Sequence, residues 1–434
     1  MLKAALHNLG CKVNAYETEA MQTLLEEAGY EIVDFHDKAD VYVINTCSVT
    51  NIADRKSRQM LHQAKKRNPE SIVVACGCYV QTSPQKAAQD ESIDVVIGNN
   101  QKYRLPEILA DYLQNGQKLT EIPDIGKDKQ YEQMRMKKTA EHTRAFVKVQ
   151  DGCNQFCTYC IIPYARGRVR SREYNEVIDE IRELAKNGYQ EVVLTGIHLT
   201  SYGKDVDSTL IDLIEGVAAV DGIKRVRLGS LEPGIVTEEF AKRLSKIEAF
   251  CPHFHLSLQS GCDATLKRMN RHYTAKEYLD GCTLLRKYFE HPAITTDVIV
   301  GFPGETEEEF EQTRAFLQKV DFYEVHLFKY SKRQGTPAAT MPNQLTEKQK
   351  AQRSHILAED LKANKRRFME YYRNQNVEIL VEEKEQIGNK FFYTGYTKEY
   401  VKVAIPGIAC KEETNCFVTV KLTNFLDEDI MGVL

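Results

Sequence analysis

Apolar positions follow two rhythms along this chain, and the balance between them changes from region to region. Up to residue 115, short apolar runs at 3–9, 41–45 and 72–75 read as strands. Between them, 17–28 has helical spacing that stops at Gly29, and Asn51 is placed to cap a helix that runs to Arg67 before Pro69. Strand-helix-strand repetition implies a parallel sheet covered by helices. Residues 115–142 are polar and charged without an apolar period, so a linker is expected there. The β/α rhythm then returns more regularly, with strands expected at 145–149, 191–194, 225–228, 255–258, 296–300 and 324–328. Six such units fit a partial parallel barrel better than an open doubly wound sheet. In a barrel the chemistry belongs at the C-terminal strand ends. A charged helix over 346–373 leads to short strands at 377–381, 391–395, 400–405 and 416–422, the pattern of a small OB-like barrel. The expected class is α/β, divided into an N-terminal parallel α/β domain (1–115), a linker (116–142), a partial (β/α)6 barrel (143–345), a connecting basic helix (346–375) and a small β-barrel (376–434).

Composition narrows the setting. Hydrophobic residues are 42% and charged residues 28% of 434, as in ordinary globular chains. No apolar run approaches the roughly 18 residues of a membrane helix. The start, with Lys3, Lys12, Glu17 and Glu19, lacks the apolar core of a signal peptide. A cytoplasmic protein without a membrane partner is expected. Net charge is −4, so any contact with nucleic acid must come from local patches. Twelve cysteines spread over so long a chain are not a disulfide scaffold; in a reducing compartment they pack as small hydrophobes or bind metal.

Their spacing separates these roles. Cys153-Asn154-Gln155-Phe156-Cys157-Thr158-Tyr159-Cys160 follows the first strand of the middle region, and three thiolates so close can converge on one soft metal centre. With no fourth Cys or His nearby, such a centre keeps one metal position open. Buried structural cysteines and a zinc site are the rival readings. In the first region Cys11, Cys47 and Cys78 all lie just beyond C-terminal strand ends, where a parallel sheet presents its ligands. Any one of them alone reads as structural; three in one topological place point to a second centre. On spacing, Cys76 competes with Cys78.

The CxxxCxxC stretch resembles the radical S-adenosylmethionine (SAM) superfamily, in which the open iron of a [4Fe–4S] cluster chelates SAM and an electron cleaves it to a 5′-deoxyadenosyl radical. Gly10-Cys11, Asn45-Thr46-Cys47 and Gly77-Cys78 ahead of that motif resemble the methylthiotransferase family over essentially the whole chain. Residues 388–403 are similar to its C-terminal TRAM domain. The resemblance makes Cys78, not Cys76, the ligand, and implies two [4Fe–4S] clusters, on Cys11, Cys47 and Cys78 and on Cys153, Cys157 and Cys160. The stretch from Leu9 to Glu19 resembles the branch that methylthiolates C2 of N6-threonylcarbamoyladenosine at tRNA position 37. It further implies a reduced flavodoxin or ferredoxin-type electron donor and a sulfur donor that stays unidentified. For SAM, Tyr159 matches the superfamily's adenine contact and Thr195-Gly196 its amino-group motif. Ser230, Glu232, Gln259 and Asp297 offer polar groups at or near later strand ends.

Arg166, Arg168, Arg170 and Arg172 form a dense basic element expected to contact tRNA phosphates. Arg55, Lys56, Arg58, Lys65, Lys66 and Arg67 form a second basic face, and Lys362, Lys365, Arg366, Arg367 and Arg373 a third. The tail from 376 holds six basic and ten acidic residues, which argues against a strong independent RNA binder. Its aromatics Phe391, Phe392, Tyr393, Tyr396 and Tyr400 either stack on bases or fill the small barrel. Cys251, Cys262, Cys282, Cys410 and Cys416 read as ordinary cysteines. Rival functions are methylthiolation of isopentenyladenosine-37 or of a ribosomal protein side chain and, from another class, iron–sulfur electron transfer.

Overall fold

Val41, Val43 and Val74 pack on one face of the first sheet while Tyr42, Ile44 and Val73 pack on the other, so its strands are apolar on both sides. The computed structural model describes residues 1–136, 143–407 and 414–433. Strands β1 (Lys3–Asn8), β2 (Glu31–Ile32), β3 (Val41–Thr46), β4 (Ile72–Gly77), β5 (Val95–Ile97) and β6 (Leu119–Glu121) form one parallel sheet, in the order β2-β1-β3-β4-β5-β6. Strand β6 lies in the stretch expected to be a linker. There Glu132, Met134 and Met136 are also buried, the polar segment being pinned by partners distant in sequence. Two helix starts differ from expectation by local chemistry. Thr50, not Asn51, caps the Asn51–Arg67 helix, its hydroxyl accepting from the Ala53 N–H at 3.1 Å. The first helix begins at Lys12, with Cys11 as its cap residue.

The middle region is a parallel barrel of six strands, β7 (Ala145–Asp151), β9 (Glu191–Gly196), β10 (Arg225–Leu228), β11 (His253–His255), β12 (Ala293–Val300) and β13 (Glu324–Lys329), plus a short antiparallel β8 (Arg170–Ser171) on β7. Only isolated bridges, Val226 to Phe250 and Leu231 to Leu256, join its two halves. Strand β11 therefore ends two residues after it begins, earlier than the pattern at 255–258 predicted. Alternate side chains of each strand enter the helix-side core: Val147 and Val149, Val192 and Leu194, Val226 and Leu228, Phe254 and Leu256, Ile294 and Val298. The intervening positions face the lumen, and they are unusually polar: Lys148 and Gln150, Glu191 and Thr195, Arg225 and Arg227, His253 and His255, Asp297, Glu324 and His326.

The Lys12–Glu27 helix lies between the two regions. Ala20, Met21 and Leu25 pack on the first sheet, while Tyr16 joins the barrel core and its hydroxyl donates to the Met134 carbonyl at 2.8 Å. After the Glu347–Glu370 helix, β14 (Asn376–Ile387), β15 (Lys390–Tyr396), β16 (Lys402–Pro406), β17 (Cys416–Phe425) and β18 (Ile430–Val433) close a small barrel. It is seated under the lower end of the large one. Arg225 donates to the carbonyls of Tyr396 and Glu378, Arg227 to those of Lys398 and Thr397, and Tyr400 stacks on His253 at 4.9 Å. No helix among the described residues is long and apolar enough to cross a membrane.

Candidate active site

Two glycines shape the first cysteine group. Gly10 and Gly77 both adopt positive φ, +111° and +93°. A Cβ at Gly10 would meet Cys47 Sγ at 2.8 Å; one at Gly77 would meet Asn45 Oδ1 at 2.5 Å and the Thr46 carbonyl at 2.7 Å. The Gly-Cys pairs are thus steric requirements of three strand ends meeting. Cys11, Cys47 and Cys78 feel one another electrostatically. Burial, reinforced by the neighbouring Cys78 and Cys11, pushes the Cys47 thiol up to about 11. Cys11 is open to solvent yet sits deep in the molecule, and the surrounding protein raises its thiol against the pull of Arg166. Cys76 is not part of this group: its Sγ lies in the apolar core, 3.6 Å from the Ile44 carbonyl.

The second group hangs on one loop. A Cβ at Gly152, where φ is +70°, would strike the Arg168 carbonyl at 1.8 Å. The Cys153 N–H donates to the Gly167 carbonyl at 3.0 Å, the Thr158 N–H to that of Met269 at 3.0 Å, and Asn270 Nδ2 to those of Gln155 and Phe156. Arg271 Nη1 donates to Cys157 Sγ at 3.2 Å and its Nη2 lies 2.8 Å from Glu232. Burial pushes Cys153 to about 11 and Cys160 to about 12, each thiol again sensing its group. Thiols so disfavoured as free thiolates release their protons when a metal binds.

Three thiols in each group, with no fourth Cys or His beside them in the sequence, suit a centre that keeps one metal position open. Each group also has N–H donors aimed at sulfur, as cluster sites do. Arg271 serves Cys157; Arg166 Nε lies 3.4 Å and Asn99 Nδ2 3.8 Å from Cys78 Sγ.

Thr195 and Gly196 end β9, while Ser230 and Glu232 follow β10 and Gln259 follows β11, all at the rim that carries the cysteine loop. A Cβ at Gly196 would meet Gln150 at 2.9 Å. Gln259 holds a left-handed φ of +68° beside β12, a strained conformation of the kind kept at functional positions. Glu232 links His198 at 2.9 Å, Arg271 and Gln155 Nε2 at 2.8 Å. Burial alone would raise its carboxyl, but the His198 hydrogen bond and the Arg271 charge outweigh it and hold it low. Tyr159 packs edge-on to Phe302 at 6.4 Å, and burial raises its hydroxyl well above the usual range. Asp297 is set apart: it lies below the end of β12, facing the lumen beside His255 and His326.

The arginine element corrects the phosphate-contact expectation. Arg166 and Arg170 are 0% exposed and Arg172 1%, so none reaches RNA. Arg166 pairs with Glu17, Arg170 approaches Asp151 at 3.7 Å, and Arg172 pairs with Glu180. Lys102 and Lys148 also meet Glu17, at 3.2 and 2.7 Å, and Lys102 lies 3.7 Å from Glu132. This dry network sews the first domain to the barrel. Burial would raise the Glu17 carboxyl, but Arg166, Lys102 and Lys148 drive it well below the usual range. Of the four arginines only Arg168 is exposed, over the Phe156 ring at 4.5 Å. In the second basic face Arg55, Lys56, Arg58 and Lys66 are exposed, whereas Lys65 is tied to Asp94 and Arg67 to the Phe35 carbonyl. In the third, Lys365 pairs with Asp429 and Arg367 with Asp321, while Arg366 covers Phe425. Tyr393 belongs to the small barrel's core, Tyr396 and Tyr400 stack on each other, and only Phe391 stands largely free. Cys251, Cys262 and Cys282 are buried; Cys410 lies outside the described residues, and Cys416 differs from expectation in being disulfide-bonded.

Sequence reasoning missed Arg271, His198, Gln150, Glu17 and Lys12. Only Lys12, beside Cys11, and the His253-x-His255 alternation carried a local signal. Burial, together with Arg144 and Arg227, brings the Lys12 ammonium down to about 8. A crevice of about 700 Å³ lies between the loops that follow the two cysteine groups, lined by Arg58, Thr82, Lys86, Ile161, Tyr164 and Arg333 among others.

Residues 147–317 match the radical SAM superfamily, and residues 3–98 match an uncharacterized protein family, UPF0004. The chain is 42% identical over 410 residues to the threonylcarbamoyladenosine tRNA methylthiotransferase MtaB of Bacillus subtilis (strain 168), covering 94% of this chain and 91% of that one. Identity to the MtaB of Aquifex aeolicus (strain VF5) is 40% over 386 residues, 89% and 94% of the two chains. The tRNA-2-methylthio-N(6)-dimethylallyladenosine synthase of Clostridium tetani (strain Massachusetts / E88) shares 34% over 432 residues, 98% and 94% of the two. Among solved structures, the radical SAM methyltransferase TsrM of Kitasatospora setae superposes with a TM-score of 0.59 over 78% of this chain and 75% of that one; at 17% identity this is a likeness of fold.

Proposed function

From the premise that this chain belongs to the methylthiotransferase family of radical SAM enzymes, we propose that it adds a methylthio group to C2 of N6-threonylcarbamoyladenosine at tRNA position 37, using two [4Fe–4S] clusters. The observation that carries this reading is the adjacency of the cysteine groups. The Cys153–Cys160 loop runs straight into the Ile162–Arg166 helix, and Arg166 reaches Cys78 Sγ at 3.4 Å. When bound, the cluster on Cys153, Cys157 and Cys160 together with SAM supplies the carbon-centred radical, and the one on Cys11, Cys47 and Cys78 supplies sulfur.

The protein's own part is positional. Arg271 and Asn270 fix the cysteine loop, and Glu232 orders His198, Arg271 and Gln155 at the rim. Thr195, Gly196, Ser230 and Gln259 would hold SAM through polar groups at the rim, and Tyr159 would serve its adenine. Arg58 and Lys86 at the crevice, with Arg55, Lys56 and Arg168, form the exposed basic surface for the anticodon arm. A flavodoxin- or ferredoxin-type donor supplies electrons, a separate donor restores sulfur, and the reaction takes place in the cytoplasm with tRNA. Anaerobic incubation with dithionite, SAM and threonylcarbamoyl-modified tRNA tests this, measuring 5′-deoxyadenosine and nucleosides together. The expected product is the 2-methylthio nucleoside. SAM cleavage without any methylthiolated nucleoside would overturn the assignment.

A further inference from the structure

The lumen below the rim holds a cation that has no counterion among the described residues. Lys12, next to Cys11, opens into this space with its ammonium 5.9 Å from the centre of the Phe146 ring. Among the described residues it pairs with no carboxylate. The other lumen-side cations are committed: Arg225 and Arg227 to Glu191 and to carbonyls of the small barrel, Arg144 to Glu382.

On the strands across the lumen, the potential ligand atoms of His255, Asp297 and His326 lie mutually within 4.8 Å. His255 Nε2 is 3.3 Å from Asp297 Oδ2, and its Nδ1 is 3.0 Å from Thr295 Oγ1, so this ring is fixed. His326 stacks on His255 at 5.7 Å, is exposed to the lumen, and has no hydrogen bond of its own among the described residues. Below them His253 stacks on Tyr400 at 4.9 Å, and Arg227 of the opposite half lies over the same ring at 4.9 Å, so the two walls share a floor.

The proposed substrate supplies what these walls lack. A threonylcarbamoyl group carries a carboxylate, a hydroxyl and a carbamoyl N–H, and it hangs from the base edge adjoining C2. A base that presents C2 at the cluster rim would direct this group toward the lumen below. We propose that Lys12 and His326 bind the threonyl carboxylate, while Asp297, held by His255, accepts from the hydroxyl or carbamoyl N–H. The site thereby selects threonylcarbamoyladenosine over an adenosine with an apolar N6 substituent. An isopentenyl group would leave Lys12 desolvated and unpaired and would give Asp297 no donor beyond His255. This inference rests on the tRNA-methylthiotransferase reading above and deepens it, and it takes Asp297 for the base and not for SAM.

The test is binding of the reconstituted full-length protein to anticodon stem-loop RNAs carrying threonylcarbamoyladenosine, isopentenyladenosine or adenosine at position 37. Lys12→Met, His326→Gln and Asp297→Asn should each weaken binding of the first RNA by about tenfold or more, leave the adenosine RNA within twofold (about 0.4 kcal/mol), bind the isopentenyl RNA no more weakly than the parent does, and keep the iron content of the parent. His326→Gln and Asp297→Asn are remote from the cysteine ligands, so they decide the matter if Lys12→Met loses a cluster. Undiminished discrimination in these two variants, with parental methylthiolation of the first RNA, would overturn the pocket and leave the enzyme reading intact. No methylthiolated product from the parent protein on any of the RNAs would overturn both. Loss of a stoichiometric divalent ion, beyond cluster iron, in His326→Gln and Asp297→Asn would replace the pocket with a metal site.

Discussion

The two cysteine groups are brought together by opposite routes. Cys153, Cys157 and Cys160 sit in one loop whose shape comes from its own turns and from the Met269–Arg271 segment beside it. Cys11, Cys47 and Cys78 come from three strand ends, and their meeting depends on register: Asn8 opposite Asn45, and Thr46 opposite Gly77. A ligand set within one loop needs local geometry. One spread over a sheet needs the whole domain, and so inherits the domain's stability and its docking. Arg166 makes the dependence mutual, since a residue of the barrel completes the surroundings of Cys78.

The largest effect should come from deleting each group outright. The parent should hold about eight iron atoms, and either triple Cys→Ala variant about four, by iron and sulfide analysis. Both variants should lose methylthiolation, but only Cys153/157/160→Ala should lose 5′-deoxyadenosine formation. Loss of both clusters from one folded triple variant would show that the groups are not separable.

Single glycines should come close to the same result. Gly152→Ala meets a backbone carbonyl at 1.8 Å and should empty the loop site; Gly77→Ala, blocked at 2.5 and 2.7 Å, should empty the sheet site. Gly234→Ala has nothing within 4 Å and should keep about eight iron atoms. If Gly77→Ala retained full iron, strand-end packing would not be what sets the distributed group.

Next in size is the seam between the groups. Arg166→Gln leaves Glu17 with fewer partners in a dry network, and urea unfolding should show a loss of about 3–5 kcal/mol. Arg271→Gln, at the rim, should cost about 1.5–3 kcal/mol while perturbing the electron paramagnetic resonance signal of the loop cluster alone. Equal losses for the two would erase the distinction between a dry seam and an open rim. The smallest effect belongs to Arg168→Ala, the exposed arginine. It should lower the salt slope of tRNA binding by about one counterion, and no change at all would remove it from the RNA surface.

The two routes also explain how far the sequence could be read. The loop group was legible because its geometry is local, and the sheet group because strand ends are marked by apolar runs followed by Gly-Cys or Thr-Cys. Choosing Cys78 over Cys76 needed the family resemblance, whereas in space the answer is simple, since Cys76 points into the core. The arginines from 166 to 172 misled for a physical reason. A buried ion network and a solvated basic loop have the same composition, and Glu17, which decides between them, lies 149 residues from Arg166. Strand β6 was hidden because so short an edge strand has too few apolar residues to show a period. Most of the lumen pocket was hidden too, being assembled from β11, β12, β13 and a helix of another domain.

The seat of the small barrel beneath the large one has a kinetic consequence. Arg225, Arg227 and Tyr400 tie the small barrel across the lower end of the lumen, opposite the cluster rim. A base that reached into the lumen from the rim would cover the place where SAM is proposed to sit, so small molecules would bind before the large RNA and leave after it.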